Sequence, residues 1–258
     1  MTGGAAERDA LARRLAELGL RPGETVLVHA GIGGTGMDAA ALRDALLRAV
    51  GEEGTLVVPA FTPENSDTSS AYLRRVAGMT PTQAAAFRAM MPAFDPAVTP
   101  STGMGRLAES VRTTRGAVRS GHPQTSFAAL GRRAGELLSR HPLTCHLGEE
   151  SPLGALYRAG ARVLMINVGF SVCTAFHLAE YRTGAPLRRY ACVVRGAHGP
   201  QWTEYLDVEL DDGDFGDLGA AFSRNIEQRG RLGGTEAALF SITDAVDHAV
   251  TWMSEKRR

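Results

Sequence analysis

The first sixty residues alternate between helical and strand-like patterns of apolar positions. Apolar residues recur at helical spacing over residues 7–19 and again over 41–50, where Asp38 is placed to cap the second helix. Between and after these helices, 25–29 and 55–58 are unbroken runs of apolar and β-branched residues. Such runs are typical of strands buried on both faces. The strand–helix–strand order predicts a parallel core sheet.

The middle of the chain has a different pattern. Residues 59–100 are rich in proline, methionine, serine and threonine and contain no clear strand, although 71–77 and 82–90 could form short helices. Long irregular segments in compact domains are usually functional or disordered, and this one carries too many apolar residues for disorder. We therefore predict an irregular insertion, at about 60–100, that covers a cleft.

The second half returns to regular patterns. We predict helices at 105–112, 133–139, 152–159, 174–182 and 242–256, and strands at 162–168, 189–195 and 204–210, with 123–131 as a strand or loop. The strongest of these strands, 162–168, leads through a short loop into the helix at 174–182. The predicted fold is α/β, with a central mixed, largely parallel sheet flanked by helices, and the chain 1–258 is treated as a single domain.

Composition and charge narrow the class of protein. The 258 residues are 44% apolar and 22% charged, and 28 basic side chains balance 28 acidic ones. A balanced charge gives no global attraction to nucleic acid or anionic lipid, and the longest apolar run, near 163–170, is too short to cross a bilayer. Met1-Thr2-Gly3-Gly4 does not resemble the start of a secretion signal, and the three cysteines form no CxxC pair. We expect a cytoplasmic protein that binds neither membrane nor nucleic acid.

A glycine-rich loop follows the first predicted strand. Gly31, Gly33 and Gly36 have the G-x-G-x-x-G spacing of a dinucleotide site, in which backbone N–H groups approach a pyrophosphate. That site also needs an acidic residue near the end of the second strand, and residues 58–61 contain none. A nicotinamide cofactor is therefore disfavoured. A tight turn and a loop for another phosphate-bearing cofactor, such as coenzyme A, both remain open.

The helix after the strongest strand carries candidate acid–base chemistry. Thr174, His177 and Glu180 are spaced three apart, so that one helical face can carry all of them. A carboxylate beside an imidazole fixes its tautomer and stabilises the imidazolium, as a general base requires. A surface His–Glu pair would have the same spacing, and these residues alone do not decide between the two.

Two other kinds of chemistry have weaker support. His122, His141 and His146 are close in sequence, yet none has the spacing of a helical metal motif, so we predict no metal. Cys173 precedes His177 by four residues near a helix start, but a buried structural cysteine explains it equally simply.

Several ordered blocks resemble the aminoglycoside 3-N-acetyltransferase family. They are residues 26–36 with 54–59, 94–96 with 99–105, 119–131, 148–153, and finally Thr174, His177 and Glu180. Each block is modest alone, and their order and spacing make the resemblance specific. It covers roughly residues 20–182 and fades in the C-terminal third.

The resemblance implies an enzyme that binds acetyl-coenzyme A and an amine-bearing antibiotic in one cleft. His177 would deprotonate the amine and Glu180 would orient His177. The implied coenzyme A contacts are His29, Ala30, Gly31, Thr99, Ser101, Ser126 and Phe127. Ala30-Gly31 departs from the small hydroxyl residues usual after the first-strand histidine, and 64–90 lacks the usual aromatic pattern, so the acyl group and the acceptor stay open.

The chain is thus expected to acetylate an amine of an aminoglycoside by direct transfer. Stabilisation of the oxyanion is expected from backbone N–H groups of the glycine loop, or from the hydroxyl of Ser101 or Ser126. A polycationic acceptor needs an acidic site, for which Asp67 and Glu149 are the candidates. We interpret the acidic run 211–214 as a solvated turn.

The alternatives to this function are a biosynthetic coenzyme A-dependent N-acyltransferase on another amine-bearing metabolite and a non-catalytic binding protein. Homodimer formation is left open.

Overall fold

The computed structural model of the chain describes residues 3–226 and 228–257. Met1-Thr2, part of the argument against a secretion signal, lies outside these residues. The strands, in chain order, are β1 (Thr25–Ala30), β2 (Thr55–Pro59), β3 (Val118–Arg119), β4 (Phe127–Gly131), β5 (Arg162–Ile166), β6 (Leu187–Gly196), β7 (Gly199–Val208), β8 (Gln228–Leu232) and β9 (Thr235–Ser241).

Helices surround these strands. They are α1 (Gly3–Glu17), α2 (Ala39–Val50), α3 (Ser70–Val76), α4 (Pro81–Met90), α5 (Gly105–Arg112), α6 (Ala134–Leu137), α7 (Pro152–Arg158), α8 (His177–Arg182), α9 (Phe215–Phe222) and α10 (Ile242–Lys256). The predicted bounds of α5 and α10 are confirmed, and Asp38 caps α2 by accepting a 2.7 Å hydrogen bond from the Ala41 amide. Among the described residues, no helix is both long and apolar enough to cross a bilayer.

Within the described residues, seven strands form the main sheet in the order β3-β4-β2-β1-β5-β9-β8. β1 pairs in parallel with both β2 and β5, whereas the outer strands pair antiparallel. The predicted mixed α/β fold is confirmed, with parallel pairing confined to the three central strands. The chain continues from β1 to β2 on one side of the sheet, whereas after β5, on the other side of β1, it returns to the sheet in β8 and β9 farther out on that side. Ligands bind at such switch points in open α/β sheets.

Alternate residues of the central strands contribute side chains to two separate apolar cores, one on each face of the sheet. On one face, Val26 and Val28 of β1 pack with α1, α2 and α5. On the other face, Leu27 of β1 packs with α6 to α10. Because both faces are covered, the central strands read as unbroken apolar runs, which is why the sequence predicted them well.

The insertion packs on a second, two-stranded sheet formed by β6 and β7. The Asn65 amide group accepts from the Val193 N–H at 2.7 Å and donates to the Val193 carbonyl at 2.9 Å. Tyr72 of α3 stacks on Trp202 of β7, with ring centroids 5.9 Å apart. The insertion is therefore attached to this hairpin at Asn65 and Tyr72, and its role as a cover for the cleft stays a prediction.

Among the strands and α-helices of the described residues, β3, β8, β9 and α9 were not predicted. β8 is an edge strand with exposed polar residues at Arg229 and Arg231, so it lacks an apolar pattern. α9 contains Gly216 and Gly219, which disfavour a helix. Gly219 is there because a Cβ at that position would lie 2.0 Å from Cβ of Phe170. Tertiary packing therefore decides this helix.

Candidate active site

A cavity of about 360 Å³ lies at the carboxyl ends of the three parallel strands. Its walls come from the end of β1 (His29, Ala30, Gly31), the end of β2 with Phe61, the start of α5 (Gly103, Met104, Gly105), the segment between β5 and α8 (Val168, Ser171, Thr174), and His177, Asp212 and Phe215. Phe61 lies at the start of the insertion and Gly103 just after its end. Both ends of the insertion are therefore next to the cavity.

His177 reaches this cavity because the chain turns sharply after β5. Asn167 adopts a left-handed backbone conformation with φ of 52°, and two short 3-10 turns, Phe170–Val172 and Thr174–Phe176, lead into α8. Nδ1 of His177 lies 2.7 Å from Oε2 of Glu180, one helical turn later. The predicted contact between His177 and Glu180 is confirmed, and the pair is not a surface pair, because the Glu180 side chain is fully buried. The predicted helix at 174–182 begins only at His177, and Thr174 lies in the preceding 3-10 turn, from which it also lines the cavity.

The second oxygen of Glu180 is also held. Its Oε1 accepts hydrogen bonds from the Asp211 amide at 2.9 Å and from Nη1 of Arg257 at 2.8 Å. An ionised carboxylate accepts hydrogen bonds and donates none, so the proton between the pair resides on Nδ1 of His177. Nε2 of His177 is then the nitrogen with a free lone pair.

The acidic run 211–214 is a largely exposed turn, as predicted, and it also borders this site. The Asp211 amide donates to Glu180, Asp212 lines the cavity, and Asp214 pairs with Arg257. Phe215 directly after the run packs on the His177 ring, with centroids 4.7 Å apart. Local sequence gave no sign of these contacts because their partners are far away along the chain.

His29, Ala30 and Gly31 line the cavity at the end of β1, as the resemblance implied. The His29 side chain is 8% exposed, its Nε2 has no hydrogen-bond partner among the described residues, and burial lowers its pKa to about 4. The imidazole is therefore neutral near pH 7. An unpaired buried nitrogen costs stability and is a feature of sites that receive a ligand.

Gly31 is required by close packing. A Cβ at this position would lie 2.8 Å from the carbonyl oxygen of Asn167, and the Gly31 N–H already donates to the Ile166 carbonyl at 2.9 Å. The unusual Ala30-Gly31 pair thus lets the ends of β1 and β5 approach each other. The Gly31 N–H is not free to bind an oxyanion.

The start of α5 offers free donors instead. Gly103 and Gly105 have φ of 77° and 85°, which glycine adopts easily, and Met104 at the N-cap provides no side-chain hydrogen bond. The first N–H groups of a helix lack intrahelical partners, and together with the helix dipole they attract negative charge. This uncapped helix start forms part of the cavity wall.

Four residues expected to contact coenzyme A lie outside the cavity wall. The Ser101 hydroxyl donates to Glu109 at 2.6 Å, the Thr99 hydroxyl accepts from the Asp95 amide at 2.9 Å, and the fully buried Ser126 hydroxyl donates to the Ala60 carbonyl at 2.8 Å. Phe127 is also fully buried. These side chains support the neighbouring loops.

The two expected acceptor carboxylates are also engaged elsewhere. Asp67 accepts from the Ala191 amide of β6 at 2.8 Å, and burial raises the pKa of its carboxyl group. Glu149 pairs with Arg182 at 2.8 Å and with Arg158 at 3.4 Å. Neither residue lines the cavity that contains His177.

The structure also bears on the two other candidates from the sequence, a cysteine nucleophile and a histidine metal site. Cys173 is fully buried and burial raises the pKa of its thiol to about 12, which disfavours a thiolate nucleophile. The rings of His122 and His146 pack 4.6 Å apart, and His146 Nδ1 lies 2.5 Å from Asp207. In the part of the chain that the structure describes, no group of three or more histidine, cysteine or acidic residues could hold a metal ion.

Comparison with known proteins identifies the family. The model of the family described as aminoglycoside 3-N-acetyltransferase matches residues 27–254. The chain belongs to this family. It is therefore an acyltransferase, and the match extends through the C-terminal third, where the resemblance in the sequence had faded.

Two curated relatives cover nearly the whole chain. The SPbeta prophage-derived aminoglycoside N(3')-acetyltransferase-like protein YokD of Bacillus subtilis is 36% identical, over 95% of this chain and 91% of its own. Aminoglycoside N(3)-acetyltransferase VII of Streptomyces paromomycinus is 34% identical, over 98% of this chain and 93% of its own.

Solved structures have the same fold. YokD superposes with a TM-score of 0.88 at 34% identity, covering 96% of this chain and 98% of its own. AAC-IIIb as a binary complex with CoASH has a TM-score of 0.84 at 29% identity, covering 96% of each chain. AAC-VIa bound to sisomicin has a TM-score of 0.77 at 26% identity, covering 96% and 97%.

Proposed function

We propose that this chain, as one acyltransferase domain, transfers the acetyl group of acetyl-coenzyme A directly to an amine of an aminoglycoside. The observation that carries the proposal is the His177–Glu180 pair at 2.7 Å, with His177 lining the cavity. The family and the relatives crystallised with CoASH and with sisomicin support the two substrates.

His177 is the proposed general base. An aminoglycoside amine is largely protonated at neutral pH, and its nitrogen can attack only after losing a proton. The ammonium first releases one proton to solvent. Nε2 of His177 then takes a second proton from the neutral amine as the nitrogen–carbon bond forms. The carbon–sulfur bond then breaks, and the proton passes to the departing thiolate. Glu180 stabilises the imidazolium throughout, and both substrates are held together in one cavity.

The donor side of the cavity fits a thioester. The uncapped start of α5 presents N–H groups to a wall that is otherwise lined by glycine and apolar residues. We assign the developing oxyanion to these groups. This differs from the sequence expectation, because the Gly31 N–H and the hydroxyls of Ser101 and Ser126 already have partners. The unpaired Nε2 of His29 marks the same side of the cavity as a ligand site.

Asp212 is the proposed acceptor contact. It lines the cavity with His177, whereas Asp67 and Glu149 bind other parts of the protein. A carboxylate at this position would attract the cationic amine before His177 deprotonates it.

A second candidate acceptor is another amine-bearing metabolite in a biosynthetic pathway. Among the described residues that line the cavity, Asp212 is the one carboxylate, and a polycation would be expected to meet several. An acceptor with a single amine would be satisfied by Asp212 alone.

A thiol-release assay with several amines and acyl-coenzyme A donors tests the proposal. We expect acetyl-coenzyme A with an aminoglycoside to give the highest kcat/KM, and His177→Ala to lower kcat by about 10²- to 10⁴-fold. A folded His177→Ala protein with full activity would remove the general-base role. Acetylation of a simple monoamine in preference to every aminoglycoside would establish the second candidate.

A further inference from the structure

Arg257 connects the end of the chain to the proposed catalytic pair. It is the first residue after α10, and its Nη1 donates to Oε1 of Glu180 at 2.8 Å. Its Nε donates to Oδ2 of Asp214 at 2.7 Å, and its Nη2 donates to the other oxygen of Asp214 and, at 2.7 Å, to the Asp211 carbonyl. One guanidinium group therefore holds four acceptor oxygens, on three residues, in a fixed arrangement.

Glu180 depends on this contact because its side chain has no exposed surface. A buried carboxylate is costly unless hydrogen bonds and an opposite charge compensate it. Arg257 provides the charge, and it does so at Oε1, which leaves Oε2 for Nδ1 of His177. Fixing one oxygen of a planar carboxylate also fixes the direction of the other.

The same guanidinium fixes the acidic turn. Asp214 is held by two donors of Arg257, and the Asp211 carbonyl by a third hydrogen bond. Asp212, between them, lines the cavity. The position of the proposed amine contact and the orientation of the proposed base are therefore set by one side chain, about eighty residues after His177 in the sequence.

We propose that Arg257 is a positioning residue of the active site, which orients the His177–Glu180 pair through Oε1 of Glu180 and holds the turn that carries Asp212. The inference rests on the proposed function, since it concerns the same base. Arg257 does not line the cavity and would therefore contact neither substrate. Its planar fork suits three simultaneous contacts, which a lysine ammonium cannot reproduce.

Kinetics of Arg257→Met provide the first test. We expect kcat to fall by about 10- to 100-fold, because a misplaced base loses near-attack geometry, while the KM for acetyl-coenzyme A stays unchanged. Arg257→Lys should recover part of kcat. Arg162→Met is the matched control: Arg162 is similarly buried and pairs with Glu24 at 3.2 Å, but it lies at the opposite end of β5. A kcat for Arg257→Met equal to that of Arg162→Met would overturn the proposal.

A double-mutant cycle separates positioning from general stability. If Arg257 acts through Glu180, then Arg257→Met should have little effect on kcat in a Glu180→Gln protein, because the pair is already broken. The double variant has no unpaired Glu180 carboxylate, because glutamine is uncharged. It should therefore fold even if Arg257→Met alone fails to fold. If the losses of kcat in the two single variants multiply in the double variant, Arg257 does not act through Glu180 and the proposal is wrong.

An NMR measurement keeps the inference distinct from the proposed activity. In imidazole-labelled protein, the Nδ1 proton of His177 should give a resonance that is absent in His177→Asn, present in Arg162→Met, and shifted or lost in Arg257→Met. If the wild-type protein acetylates no amine yet shows this pattern, the proposed function fails and the positioning role stands. If the wild-type protein is active and the resonance is the same in Arg257→Met, the positioning role fails.

Discussion

His29 and His177 line the same cavity in opposite electrostatic settings. His29 is buried with no partner for Nε2, and burial lowers its pKa to about 4, so it is a weak base and neutral near pH 7. Nδ1 of His177 instead lies 2.7 Å from a buried carboxylate oxygen of Glu180. This difference is the reason for proposing His177, and not His29, as the general base, and His29 as a ligand contact.

At the scale of the residue, Asp212 can be tested directly. We expect Asp212→Asn to raise the KM for a polycationic amine by about three- to five-fold, since an ion pair near solvent is worth up to about 1 kcal/mol. The effect should shrink at high salt, and the KM for acetyl-coenzyme A should not change. Steady-state kinetics at low and high salt measure both. Asp217→Asn, an exposed acidic residue of α9 outside the cavity, is the control. Equal amine KM values for the two variants would contradict the assignment.

At the scale of the element, the short connection between β5 and α8 brings His29 and His177 to the same cavity. The carbonyl of Asn167 approaches Gly31 so closely that a side chain there would clash at 2.8 Å, and the Asn167 side chain donates to the Gly31 carbonyl at 2.7 Å. These contacts bring the end of β1, which carries His29, next to the segment that leads to His177. The cavity exists because two parallel strands end at the same edge of the sheet.

The β6–β7 hairpin gives a prediction at the same scale. Asn65 is buried, and its side chain satisfies both backbone groups of Val193. Asn65→Ala leaves these groups unpaired, which should cost about 2 kcal/mol in the free energy of unfolding. We expect faster amide hydrogen exchange in β6 and β7 and no change in β1 and β5. Glu64→Ala, one residue earlier, is the matched control. Uniformly faster exchange in the whole chain would contradict a local anchoring role.

At the scale of the whole molecule, buried imidazoles link stability to pH. Burial lowers the pKa of His29 to about 4 and that of His141 to about 3, and it lowers the pKa of His122 well below the usual value. In the unfolded chain each would titrate near about 6.5. Below that pH the unfolded state binds more protons than the folded state, so the free energy of unfolding falls as the pH falls.

We expect full stability above about pH 7 and a loss of about 2 kcal/mol for each of these imidazoles by about pH 5. Urea unfolding at several pH values and constant salt measures this dependence. Because His141→Gln removes one of the titrating groups, it should make the slope smaller. A free energy of unfolding that stays constant or rises between about pH 7 and pH 5 would rule out the linkage.

The sequence alone determined the central strands, most helices and the His177–Glu180 spacing. Each of these rests on local information: β1 and β5 are apolar because both faces of the sheet are covered, and a spacing of three places two side chains on one helical face. The family resemblance then linked His177 to a general base and His29 to the cofactor side of the cleft.

Only the tertiary structure decided which polar side chains reach the cavity. Asp67, Glu149 and Ser126 have suitable chemistry, yet each is bound to a distant part of the chain. Asp212 and Arg257 have no local signal, because their roles depend on a turn and a C-terminal helix that meet Glu180 only in the fold. Periodicity predicts which face of an element is buried, whereas the partner of a buried charge is set by contacts between segments far apart in sequence.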